Sequence, residues 1–86
     1  MTPDRALDIN RRLVAAYMIK ERIHDASVPD LSNVSLTEAI EASRIVADMP
    51  PKRDPDKRTT IFTCHVEPTR VHLVWFWAMA NQEIEA

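Results

Sequence analysis

The chain has 86 residues, of which 45% are apolar and 28% are charged, and its formal net charge is −2. This length predicts one domain, residues 1–86, and the nearly balanced charge excludes a strongly basic polyanion-binding protein. The single Cys excludes an internal disulfide, which favours a reducing, cytoplasmic location. Phosphate-cradling loops, nucleophile elbows and dinucleotide fingerprints all need Gly, and the sequence has none, so we expect no enzyme of those classes and no cofactor.

The first predicted element is a helix over residues 3–24. Thr2 is a suitable N-cap and Pro3 suits the first helical position. We expect the helix to run through His24 and to stop before Pro29. Its apolar face is predicted to consist of Ala6, Leu7, Ile9, Leu13, Val14, Ala16, Tyr17 and Ile23.

The second predicted element is a helix over residues 36–48. Ser35 and Glu38 have the spacing of a capping box, in which each side chain satisfies a backbone donor near the other residue. Pro50 marks the end of the helix. The face predicted to be buried consists of Leu36, Ala39, Ile40, Ser43, Val46 and Ala47.

Residues 50–58, PPKRDPDKR, are predicted to form a charged, Pro-rich connector. Mixed charge signs favour a solvated loop. The alternative is a regulator that binds nucleic acid through the four cations of the loop, Lys52, Arg53, Lys57 and Arg58.

A β-hairpin is predicted over residues 59–78, followed by a short acidic tail, 79–86. The loop EPTR suits a type I turn, and the flanking residues are β-branched and aromatic. The fold class is therefore α+β in the order α-α-β-β. The alternative is an all-α fold in which a third helix begins at Pro68, a residue that suits a first helical position.

A hairpin of this composition would have two apolar faces, and the helices could cover only one of them. An apolar face beside an unpaired strand edge indicates a partner, and the sheet is predicted to be completed by a second copy of the chain. The predicted interface consists of Ile61, Thr63, His65, His72, Val74 and Phe76.

Two His residues of the hairpin suggest a weaker alternative, a small metal-binding protein. In the predicted register His65 lies opposite His72, but a metal site would still lack its remaining ligands. Cys64 would lie on the packed face of the hairpin, where a thiol behaves as a small apolar group.

The predicted function is that of a small, non-enzymatic regulatory or inhibitory protein that acts through a protein–protein interface, of a kind that phages and mobile elements encode. We expect a protein partner, with a homodimer as the first candidate. Nucleic acid is a less favoured partner. The longest apolar run, VHLVWFWAMA, is too short to span a membrane.

Overall fold

The computed structural model describes residues 1–49 and 66–85, the last three by their backbone alone. In this part of the chain there are three α-helices: α1 is Pro3–Lys20, α2 is Leu36–Ala47 and α3 is Val71–Glu85. A single 3₁₀ turn, Pro68–Arg70, leads directly into α3. Each helix contacts the other two, so the described residues form a three-helix bundle. Its core consists of Ala6, Ile9, Leu13, Ala16, Leu31, Val34, Ala39, Ala42, Val46, Val66, Val71, Val74 and Ala78.

The start of α1 confirms the predicted cap, since Thr2 Oγ1 accepts a hydrogen bond from the Arg5 backbone at 3.3 Å. The predicted end at His24 is wrong, because the helix stops at Lys20. Arg22 has a φ of 59°, and this left-handed residue turns the chain out of the helix. Ile23 therefore leaves the apolar face on which it was predicted to lie and is 65% exposed.

The start of α2 confirms the capping box. The Glu38 backbone donates to Ser35 Oγ at 3.1 Å, and the Ser35 backbone donates to Glu38 Oε1 at 3.2 Å. The backbone bond from Ser35, followed by the hydrogen bond from Arg5, holds the pKa of Glu38 below its ordinary value. The helix ends one residue earlier than predicted. Ala47 is exposed rather than buried, and Ala42 takes a place in the core.

The segment between α1 and α2 is fixed by two buried apolar side chains and one arginine. Leu31 and Val34 enter the core. The Arg12 guanidinium donates to the Asp30 carbonyl at 3.0 Å and to Asn33 Oδ1 at 3.4 Å. These contacts hold a segment without regular structure against α1.

The predicted hairpin and the α+β fold class are wrong, because residues 71–85 form a helix. Within the described residues there is no strand, and the architecture follows the all-α alternative. Pro68 begins the 3₁₀ turn as a first helical residue, a position that its fixed φ suits. The predicted first strand, residues 59–65, lies outside the described residues.

Docking against the bundle explains why a β-branched, aromatic segment is helical. Val71, Val74 and Ala78 follow each other at helical spacing and are all in the core. The intrinsic preference of Val and Trp for strands is only about 0.5 kcal/mol per residue. The free energy gained by burying the three side chains outweighs it. Two side-chain bonds add to it: Trp75 donates to the Val34 carbonyl and Gln82 donates to the Pro29 carbonyl.

Candidate protein-binding face

The side of α3 that points away from the bundle is apolar. Within residues 71–82 four exposed residues form it, three of them apolar and one a histidine, and we call them the outer face of α3: His72, Leu73, Phe76 and Ala80. They lie together because helical neighbours are three or four positions apart. Leu73 and Phe76 are each 55% exposed. The face therefore presents two large apolar side chains to solvent at its centre.

On α3 the small apolar residues are buried and the larger ones are more exposed, whereas a helix that packs into a core usually buries its large residues. Within residues 71–82 its buried face consists of Val71, Val74 and Ala78, with exposures of 0%, 2% and 0%, whereas the larger apolar residues of this range lie on the flanks and outside. Among the described residues, the largest side chains that are fully buried include no aromatic residue: they are Ile9, Leu13, Leu31, Val46, Val71, Val74, Asn10 and Ser43. Trp75 and Trp77 pack against the core with part of their surface, whereas Phe76 is mostly exposed. An exposed aromatic side chain is typical of a binding surface.

The Phe76 ring is braced by its neighbour on α3. The indole N–H of Trp75 donates to the Val34 carbonyl at 3.3 Å, which anchors the half-buried Trp75 ring against the bundle. The Phe76 ring meets Trp75 edge to face, with the ring centroids 5.2 Å apart and the planes at 78°. Such a contact is favourable and limits the rotation of Phe76. A ring that is ordered before binding loses less conformational entropy when a partner covers it.

A charged pair lies at the N-terminal end of α3. Arg70 Nε is 3.6 Å from Glu67 Oε2, and both side chains are mostly exposed. The two residues are the ends of the loop EPTR, the turn of the predicted hairpin. They meet instead along the 3₁₀ turn, three positions apart. An ion pair this exposed contributes little to stability, so the guanidinium is available to a second carboxylate.

Three of the six predicted interface residues lie in the described part of the chain, and the helix separates them. His72 and Phe76 are on the outer face of α3, but Val74 is in the core. The prediction placed all three on one side because side chains alternate with a period of two in a strand, whereas a helix repeats every 3.6 residues. The other three, Ile61, Thr63 and His65, lie outside the described residues.

The predicted metal and nucleic-acid sites are not tested by the structure. His65, Lys52, Arg53, Lys57 and Arg58 lie outside the described residues, so neither the pairing of His65 with His72 nor the basic loop can be placed. Among the side chains of residues 1–49 and 66–82, no group of three or more His, Cys, Asp or Glu could hold a metal ion. His72 is exposed on the outer face of α3.

The predicted interface did not include two residues of the outer face, Leu73 and Ala80. A signal for them is present in the sequence. Val71, Val74 and Ala78 are small apolar residues at positions i, i+3 and i+7, and Leu73, Phe76 and Ala80 repeat that spacing two residues later. Two such rows indicate a helix with two apolar sides, one for the core and one for a partner.

Comparison with models of protein families, with curated proteins and with solved structures gave no match to this chain. In the described ranges, no helix has the length and apolar character that crossing a membrane requires.

Proposed function

We propose that this chain is a non-enzymatic protein-binding protein whose binding surface is the outer face of α3. The single observation that carries the proposal is the exposure of Leu73 and Phe76 on a helix whose buried residues, within 71–82, are Val71, Val74 and Ala78. Complete burial of a Leu or Phe side chain is worth about 1.5–3 kcal/mol, so the exposed half of each has about 1 kcal/mol still to gain from a partner.

The order of this surface also supports a binding role. Phe76 is braced by Trp75, and Trp75 is anchored to the Val34 carbonyl. The face is thus built on a helix that is itself held by the bundle. Rigid aromatic side chains at the centre of a patch are the residues that contribute most to protein–protein affinity.

Site-specific photo-crosslinking in cells that produce the protein tests this proposal. A photoreactive phenylalanine analogue at position 76 is expected to form an adduct whose mass exceeds that of the chain by a whole protein. The matched control carries the analogue at the exposed Arg44 of α2 and is expected to form none. In the position-76 background, Leu73→Ser is expected to reduce the yield sharply, because it removes half of the apolar contact. Equal yields at positions 76 and 44 would contradict the proposal. So would a crosslink at position 76 that forms within one chain and therefore adds no mass.

A further inference from the structure

We propose that the partner on the outer face of α3 is a second copy of this chain, whose α3 crosses antiparallel at Phe76. This inference rests on the proposed function, because it identifies the protein that occupies the same face. The arguments for a second copy are the symmetry of the face and the charges at its two ends, and the area of the face sets the strength of the dimer.

The outer face is symmetric about Phe76. His72 precedes Phe76 by four residues and Ala80 follows it by four, so these three form one row along the helix. A two-fold axis at Phe76 would place the Phe76 rings of both copies in contact. It would also place the small Ala80 of each copy beneath the larger His72 and Leu73 of the other. Large residues over small ones fill an interface between like surfaces without voids, and a two-fold interface requires a patch that fits itself.

The charges at the ends of α3 favour the antiparallel orientation. Arg70 lies at the N-terminal end with a mostly exposed side chain, and the sequence has two acidic residues, Glu83 and Glu85, at the C-terminal end. Antiparallel helices bring Arg70 of one copy, together with its partner Glu67, to the acidic end of the other, and they also oppose the two helix dipoles. Parallel helices would instead place the two acidic ends together.

The size of the face sets the strength of the dimer. With 15 residues, α3 is about 22 Å long. A seam along one such helix buries roughly half of the ~800 Å² per partner that a stable interface uses. The dissociation constant is therefore expected in the range of about 10 to 100 µM rather than in the nanomolar range.

Sedimentation velocity of the purified chain, from about 1 µM to about 500 µM, tests the inference across that range. The wild type is expected to change from monomer to dimer. Phe76→Ser is expected to raise the dissociation constant at least about tenfold, since both copies lose the central ring. The control Arg44→Ala, on the exposed side of α2, is expected to leave it unchanged. Circular dichroism melts of each variant show that it is folded. A wild type that is monomeric throughout, or a Phe76→Ser variant that dimerises equally well, would overturn the inference.

Charge reversal tests the orientation. Arg70→Glu is expected to weaken the dimer by about threefold to tenfold, and the double variant Arg70→Glu with Glu83→Arg is expected to restore it. A double variant as weak as Arg70→Glu would overturn the antiparallel arrangement.

The two proposals fail in different ways. A chain that is monomeric in sedimentation but forms an adduct with a different protein at position 76 overturns the dimer and leaves the binding role intact. A monomeric chain that forms no adduct at position 76 overturns both.

Discussion

Replacing Arg22 with glycine is expected to stabilise the protein. Arg22 follows the C-terminus of α1 and has a φ of 59°. Two bonds define the helix end there: the Ile23 N–H donates to the Met18 carbonyl at 2.8 Å, and the Arg22 N–H donates to the Ile19 carbonyl at 3.0 Å. This is the Schellman arrangement, in which the left-handed position is usually Gly. The sequence has no Gly, and here the position is occupied by Arg22, whose Cβ makes the left-handed conformation costly.

The magnitude follows from two opposing terms. A residue with a Cβ loses about 1–2 kcal/mol in the left-handed region, and Gly does not. Glycine in turn loses about 0.5–1 kcal/mol more backbone entropy on folding. The net gain for Arg22→Gly is therefore about 0.5–1 kcal/mol. For a domain of this size, such a gain raises the melting temperature by about 2–8 °C.

The assay is thermal and urea unfolding, followed by circular dichroism. Arg22→Ala is the matched control, because it also removes the guanidinium but keeps a Cβ, and it is expected to bring no gain. Arg22→Asn is expected to fall between the two, since Asn tolerates the left-handed region. If the glycine variant were no more stable than the alanine variant, the left-handed end of α1 would be refuted.

Three further changes test the bundle. Leu31→Ala removes a side chain that is completely buried, and it is expected to lower the free energy of unfolding in urea by about 2–5 kcal/mol. A loss below about 1 kcal/mol would show that Leu31 is not in the core. Ser43→Ala is expected to raise the free energy of unfolding by about 1 kcal/mol, because among the described residues the buried Ser43 hydroxyl finds no hydrogen-bond partner. A destabilised variant would show that the hydroxyl is hydrogen-bonded. The lowered pKa of Glu38 means that its bonds to Ser35 and Arg5 stabilise the fold above the ordinary pKa of 4.5 and are lost as the pH falls through the lowered value. Glu38→Gln is therefore expected to flatten the loss of melting temperature on acidification, and an unchanged pH profile would contradict this assignment.

The helix starts could be predicted from the sequence because their signals are local. Thr2 caps α1, and Ser35 with Glu38 caps α2, by contacts between residues three positions apart. The end of α1 could not be predicted in the same way. Arg22 carries no sequence signal for a left-handed conformation, and Pro29 was the nearest recognised helix breaker.

The third helix was predicted only as the alternative to a hairpin, because its stabilisation comes from residues distant in the sequence. Locally, VHLVWFW has the composition of a strand. The bundle decides otherwise, since Val71, Val74 and Ala78 fill the core and Trp75 reaches Val34. The segment VHLVWFW was also expected to leave an apolar surface exposed for a partner. A partner stays a prediction, and the surface proposed for it is now the outside of a helix and not the face of a sheet.

The central claim is that α3 buries Val74 and displays Phe76. Nuclear magnetic resonance of the isotope-labelled chain, with a soluble paramagnetic probe and at a concentration below about 10 µM to keep it monomeric, measures this directly. The account predicts helical Cα shifts over residues 71–82, strong broadening of the Leu73 and Phe76 side-chain signals, and protection of the Val74 methyl groups. Extended-strand shifts over residues 71–77, or equal broadening of Phe76 and Val74, would contradict it.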